Sequence, residues 1–425
     1  MSAGPTPSRS VDVLVVGGGP SGLATATALA GLGCGRVEVV EREREAGGIP
    51  RHCRHTGFGL RDLHRLLTGP QYAARRIDLA VEAGVRVRTS VSVTGWAGAP
   101  ADGVLAVHTS GPDGLERIEA GAIVLATGAR ERPRPARWVP GDRPDGVYTT
   151  GRLQQTVYER ALPVGRRAVV VGAEHVSFSA VVTLHHAGVR VAAMVTDRPR
   201  QQSYAAFRLA AAARYRFPLL TGTSVTRVVG HGRVQAVEVR EPDGTVRAIA
   251  CDTVVFTGDW VADHELARTG RLDVDPASTG PLVDTVLRST VPGVVCAGNL
   301  VHPVLTADLA ALDGAAAAAS AMDALRTAAG SRGPLPTVGF VLGEELAWVA
   351  PGRIGPDRAL PPRGRFVLWP AQARRSPVLE VRQGGELLWR HRSARPLVPE
   401  RPFDIEAGWL PAVRVPGREL VVTVH

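Results

Sequence analysis

The sequence predicts an α/β fold: two Rossmann-like three-layer dinucleotide-binding domains, the second inserted in the first, followed by a C-terminal all-β module. Three observations predict it. The first is an internal echo. Residues 11–16, Val-Asp-Val-Leu-Val-Val, form a short buried-strand pattern that runs into Gly17-Gly18-Gly19-Pro20-Ser21-Gly22. An Ala-rich helical stretch from Leu23 to Leu32 follows, then a strand from Arg36 to Val40 that ends at Glu41. Residues 167–171 make the same kind of strand into Gly172, with a helix near Ser177–His186 and a strand Arg190–Val195 ending at Thr196. Gly17 to Glu41 and Gly172 to Thr196 both span 24 residues. Two βαβ units of matched length imply two domains of the dinucleotide-binding type.

The second observation is that each unit closes alike, Ile123–Ala126 into Thr127-Gly128 and Thr253–Phe256 into Thr257-Gly258. Another apolar strand, Gly293–Ala297, then leads to Gly298-Asn299 and an Ala-rich helix from Thr306. The first domain is therefore expected to be discontinuous, 10–150 with 259–330, and the second to occupy 151–258. The third is a change of character at 331–425. Short β-rich runs (Phe366–Trp369, Val378–Arg382, Leu387–Arg390, Leu420–Val424) replace the helical periodicity, beyond a linker-like Ser331–Pro336.

Composition removes whole reaction classes. All 50 basic residues among the 425 are Arg. Without Lys there is no G-x-x-x-x-G-K phosphate loop and no Schiff-base lysine. Cys34, Cys53, Cys251 and Cys296 show no C-x-x-C spacing, which argues against zinc, iron–sulfur ligation or a disulfide framework, so no metal is expected. No signal-like h-region and no run of 18 apolar residues is present, and the expected setting is soluble and cytoplasmic. The net charge of +10 comes with no nucleic-acid module. Residues 331–425 carry 14 Arg against 9 acids, which points to an acidic partner face for the tail.

The glycine motif has its full context. Gly17 suits the tight turn, Gly19 lets backbone approach a pyrophosphate, and Gly22 allows close helix–strand packing. The helix N-terminus offers N–H groups and its dipole to phosphates, and the Glu41 carboxylate suits ribose hydroxyls. These residues, with Gly47-Gly48, Ala126-Thr127-Gly128 and Val291-Pro292-Gly293-Val-Val-Cys-Ala297-Gly298-Asn299, resemble the two-dinucleotide-binding-domain flavoproteins that include glutathione and thioredoxin reductases. The resemblance runs from about Val11 to Ala329. Gly47-Gly48-Ile-Pro-Arg-His-Cys53 and Ala126-Thr-Gly-Ala-Arg-Glu-Arg-Pro133 look most like flavoprotein subunits of the sarcosine oxidase alpha, opine oxidase and hydrogen cyanide synthase type. It implies FAD in the first domain, held by Gly17, Gly19, Gly22, Glu41, Arg42, Gly47, Gly48, Val93, Thr127, Gly128, Gly298, Asn299 and Thr306.

Three departures from that pattern bear on function. Asn299 stands where the superfamily usually has Asp, and it is the sole Asn of the chain. The second domain reads Gly172-Ala-Glu174-His-Val-Ser177, so only the first glycine survives, and Glu174 opposes a pyrophosphate by size and charge. Thr196 replaces the ribose carboxylate while Arg198 and Arg200 would suit a 2′-phosphate, which leaves NAD(P) open, with Gly172 as its remaining motif contact. The third is a single Cys53 in place of the C-x-x-x-x-C of disulfide reductases. Cys53, flanked by His52, Arg54 and His55, is either a redox thiol or an ordinary loop cysteine.

Flavin reduction builds negative charge on the ring, and by resemblance the helix opening at Thr306 points at that edge. Thr306 is expected to cap this helix, and Ala315–Ala319 to pack on the sheet. Candidate proton-transfer groups are His302, His52 and His55. Arg130, Arg132, Arg134 and Arg137 form a basic cluster, either a solvated crossover or a receptor for an acidic substrate or partner. The expected function is an FAD-dependent oxidoreductase moving electrons between a small amine-like, amino-acid-like or hydroxy substrate, or a partner flavoprotein, and an acceptor; the resemblance implies that it is one subunit of a heteromeric dehydrogenase. An NAD(P)H-dependent single-cysteine flavin reductase or oxidase, and a non-catalytic flavin-binding scaffold, are the alternatives.

Overall fold

The computed structural model describes residues 7–100, 104–203, 214–327 and 335–425. The chain divides into two compact units: residues 1–51, 56–129 and 262–425 in one, residues 52–55 and 130–261 in the other. The linker-like segment 331–336 lies largely outside the described residues.

The first unit starts with β1 (Ser8–Val16), α1 (Pro20–Gly31) and β2 (Val37–Val40). It continues through α2 (Gly69–Glu82), β3 (Arg86–Arg88), β4 (Ser92–Trp96), β5 (Ala106–Gly111) and the long β6 (Gly114–Leu125). Val13, Leu14, Val15 and Val39 are fully buried, as a parallel strand covered on both faces requires.

The second unit has a five-stranded parallel sheet. Its strands are β7 (Val147–Thr149), β8 (Arg167–Val171), β9 (Arg190–Val195), β10 (Leu219–Leu220) and, after an antiparallel excursion, β14 (Thr253–Phe256), in the order β7-β14-β8-β9-β10. Helix α3 (His175–His186) connects β8 to β9. The excursion is a three-stranded sheet of β11 (Ser224–His231), β12 (Arg233–Arg240) and β13 (Val246–Ala250).

The chain then completes the first unit with β15 (Val294–Cys296) and α4 (Ala307–Arg326). The first sheet runs β3-β2-β1-β6-β5-β4, with β15 parallel to the C-terminal end of β6. Its closing strands put residues 126–128 and 297–299 beside the turn after β1, with Ala126 N–H on Val16 O and Ala297 N–H on Leu125 O. Helices α1 and α4 pack without intervening side chains: a Cβ on Gly314 would stand 2.2 Å from Ser21 O. Of the Ala315–Ala319 run only Ala317 and Ala318 are buried, because a helix turns just one face to its partner.

The C-terminal strands are β16 (Phe340–Leu342), β17 (Leu346–Ala350), β18 (Arg365–Pro370), β19 (Val378–Gln383), β20 (Glu386–Arg392), β21 (Phe403–Glu406) and β22 (Leu420–Val424). They form a four-stranded sheet, β16-β22-β19-β20, and a three-stranded one, β17-β18-β21. Phe366, Leu379, Val381, Leu410 and Leu420 fill the core of this module. Trp348, Ala350 and Val367 point the other way and complete the core of the β1–β6 sheet.

Candidate active site

The first cradle forms where β1, β2, β6 and β15 end, the place where open parallel sheets bind ligands. Gly17 has φ +109°, a conformation open to glycine, and a Cβ there would stand 2.4 Å from Ala126 O. A Cβ on Gly22 would lie 1.9 Å from Gly17 O. Gly47 N–H bonds Gly18 O at 2.7 Å and brings the Gly47-Gly48 turn over the loop. The buried Glu41 carboxylate accepts N–H bonds from Gly18 and Glu43, both at 2.8 Å, one on each oxygen, so each oxygen keeps capacity for a further donor.

These residues fit a flavin dinucleotide. A Cβ on Gly19, the N-cap of α1, would meet only Gly48 Cα, at 4.0 Å, so the space above the helix start is clear. Among the described residues no side chain caps α1, and the buried Ser21 Oγ has no hydrogen-bond partner. A pyrophosphate there would satisfy both the hydroxyl and the first-turn N–H groups.

The other motif residues of this unit gather through contacts that spacing alone does not show. Asp263 ties three of them: its carboxylate takes Arg42 Nη1 at 3.0 Å, its carbonyl takes Thr127 Oγ1 at 2.7 Å, and its N–H reaches Gly128 O at 2.9 Å. Gly298, at φ +68°, lies against Ser21. Asn299 explains its own departure from Asp. Its Oδ1 accepts Leu305 N–H at 2.8 Å and its Nδ2 donates to Leu305 O at 3.1 Å, a reciprocal pair that needs an amide and closes the loop before α4. Val93 is half-buried on β4, paired with Thr109.

Thr306 is the N-cap residue of α4, but its hydroxyl makes no capping bond, and it is exposed. The first-turn N–H groups are left without a side-chain cap. The acid of that turn, Asp308, is buried and spends its oxygens on Gly59 N–H at 3.0 Å and Arg61 N–H at 3.1 Å. Neither Asp263 nor Asp308 carries a sequence signal, because their partners are far away along the chain.

His302 is buried in a different setting. Its Nε2 is 3.4 Å from Asp313 Oδ2, whose other oxygen takes Arg363 Nε at 2.8 Å, and its ring stacks on Trp348. Arg363 belongs to the β module and has φ +61°. The site of His302 is thus the seam between α4 and the C-terminal strands.

Cys53 and His55 fall in the second unit. Cys53 is buried, and burial pushes its thiol up to about 12, opposed in part by the contact to Gln154 Oε1 at 3.6 Å. A redox thiol needs the reverse, a stabilised thiolate. His55 is half-buried, and His52 Nδ1 faces Glu159 Oε1 at 2.9 Å.

Two of the four arginines of the basic cluster are committed to backbone carbonyls. Arg134 donates to the carbonyls of Val139, Pro140 and Asp142, and Arg137 to those of Arg132, Thr257 and Gly258. In the second cradle Arg198 N–H bonds Thr196 Oγ1 at 3.3 Å, and Arg200 is exposed. Buried Glu131 accepts N–H bonds from Gly151 at 2.9 Å and Gly258 at 3.2 Å, and burial raises its carboxyl, with Glu174 adding to the rise. Among the described residues no three His, Cys, Asp or Glu side chains group to hold a metal, and no helix is long and apolar enough to cross a membrane.

The family model of the pyridine nucleotide-disulphide oxidoreductases matches residues 11–323. The chain belongs to that family. It stands with it among the FAD-dependent oxidoreductases with FAD/NAD(P)-binding Rossmann folds. It is 29% identical over 319 residues to the alpha chain of sarcosine oxidase from Corynebacterium sp. (strain P-1), covering 69% of this chain and 30% of that protein. It is 26% identical over 321 residues to ferredoxin–NADP reductase of Gluconacetobacter diazotrophicus, covering 69% and 85%. The chain thus spans under a third of the sarcosine oxidase protein. Among solved structures, thioredoxin reductase of T. acidophilum superposes with a TM-score of 0.62 at 20% identity, over 74% of this chain and 98% of that one, a likeness of fold.

Proposed function

We propose that the protein is the flavoprotein part of a dehydrogenase, with FAD in the first cradle taking electrons from a small amine-like, amino-acid-like or hydroxy substrate and passing them to a partner redox protein. The observation that supports it most is the open first cradle, with Gly19 uncovered and the buried Ser21 hydroxyl unpaired. The matched relatives from sarcosine oxidase and opine oxidase are both named as subunits of their enzymes. The same reading puts the protein in the cytoplasm and gives the Arg-rich β module an acidic partner face.

FAD, when bound, supplies two-electron chemistry. The start of α1 and Ser21 would hold its pyrophosphate, and Glu41 its ribose hydroxyls. The uncapped first turn of α4 would present N–H groups and the positive helix end to developing negative charge. Asn299 holds the loop that sets the start of that helix. Asp313 and Arg363 fix α4 from behind, and His302 is a positioning residue in that network.

A single-cysteine reductase is disfavoured by the burial of Cys53. The test is to isolate the native protein with its partners, identify the bound cofactor, and add secondary-amine amino acids and hydroxy acids anaerobically. Bound FAD that bleaches with one class supports the proposal. A preparation that takes up no FAD, or a loaded complex reduced by no such compound, overturns it.

A further inference from the structure

We infer that the second dinucleotide cradle is filled by the chain's own Glu174 carboxylate, so that NADH and NADPH do not reduce the flavin through this domain. The inference rests on the FAD reading above and goes further, by excluding one electron source. The two cradles are built alike up to the decisive residue. Gly19 caps α1 at φ −80°, ψ −176°, and Glu174 caps α3 at φ −88°, ψ −178°. Over Gly19 the space is clear. At Glu174 the side chain folds back into the corresponding space.

Its Oε2 accepts the Ala173 N–H at 2.8 Å, and its Oε1 accepts the Thr257 hydroxyl at 2.6 Å. The carboxylate lies so close over the turn that a Cβ on Gly172 would stand 2.7 and 2.8 Å from its oxygens, and one on Gly258 would stand 2.3 Å from Oε1. Both glycines that would line the pyrophosphate path are covered. Ser177 stands at the third glycine position, its hydroxyl 2.7 Å from Thr257 Oγ1. Glu131 adds a second buried acid on Gly258 N–H. The Arg137 guanidinium is spent on the Thr257 and Gly258 carbonyls behind the turn; burial pulls it below the usual arginine range, opposed in part by Asp259, Glu174 and Glu131. The cradle is thus complete with an internal anion, and a dinucleotide would have to displace it while facing Glu131.

The residues therefore do not fit NAD(P). The test uses the FAD-loaded protein. Anaerobic titration with NADH and NADPH to millimolar concentration, read by flavin absorbance, is paired with calorimetry using ADP-ribose. The expected result is no bleaching and no saturable heat in the wild type, while dithionite bleaches the flavin. E174G and E174A, checked by circular dichroism, should bind ADP-ribose at least about tenfold more tightly. Stoichiometric bleaching of the wild type by either nucleotide overturns the inference, and so does an unchanged affinity in a folded variant. A chain that takes up no FAD sinks the proposed function instead, and the calorimetric comparison still judges Glu174.

Discussion

Replacing Asp313 with alanine probes how the β module is held to the flavin unit. Asp313 is almost fully buried on α4, 2.8 Å from Arg363 Nε and 3.4 Å from His302 Nε2, and the Arg363 side chain is only 15% exposed. The left-handed backbone of Arg363 costs about 1 kcal/mol, which the ionic contact must offset. Alanine leaves the guanidinium without the carboxylate it faces, in a seam lined by Leu287, Ala350 and Val367. Removing one member of a buried pair costs about 3–5 kcal/mol, and the residual water access of Arg363 places this one near the lower end, about 3 kcal/mol. In a unit of this size that is a fall of about 5 °C in Tm. Calorimetry and urea unfolding of D313A, R363A and the double variant measure it. The double variant should lose at least about 1 kcal/mol less than the sum of the single ones. Additive losses, or a D313A cost below about 1 kcal/mol, would refute the ionic anchor.

Four further outcomes are expected. G22A forces a Cβ to within 1.9 Å of Gly17 O, so the purified protein should lose its flavin absorbance; a yellow, fully loaded G22A would contradict the cradle. N299D trades the amide that donates to Leu305 O for an oxygen, at a cost of about 1–2 kcal/mol by urea unfolding, and an equally stable variant would argue against the loop closure. Under native conditions at pH 8, iodoacetamide should label half-buried Cys34 ahead of Cys53, whose thiol lies at about 12, with mass spectrometry reading the order. Glu131 has a folded pKa raised above its unfolded value near 4.5, so its stabilisation is full below that value and is lost as pH rises through the folded one. Stability should therefore fall more steeply as pH rises above about 4.5 in the wild type than in E131Q, and equal slopes would discount the burial of Glu131.

The first cradle was legible because its logic is local. Glycines three and five residues apart report what the backbone must do at one turn, and Glu41 follows from the length of one βαβ unit. Glu174 was legible for the same reason, as a side chain where none fits. What the sequence hid is tertiary. Asp308 serves Gly59 and Arg61, and Asp263 serves Arg42 and Thr127, across separations over which spacing carries no signal. Thr306 stands at its expected N-cap position without the expected capping bond. Three strands of the β module carry no clear sequence pattern because they are short: Phe340–Leu342 lies between two glycines, Leu346–Ala350 holds a bulge and runs into Pro351, and Phe403–Glu406 follows Pro402. Burial of His302 depends on Trp348 and Arg363, residues well downstream that no local window contains.

The inward-facing Trp348, Ala350 and Val367 set an order of events on the ribosome. The sheet begun by β1 gains its last strand only with Val294–Cys296, and its core is sealed only when residues 348–367 have emerged. At about 5–20 residues per second, the earliest strands wait tens of seconds for these closing side chains, while the inserted second unit has all its own strands already in hand. A nascent chain halted before Trp348 lacks the side chains that cover this part of the first core.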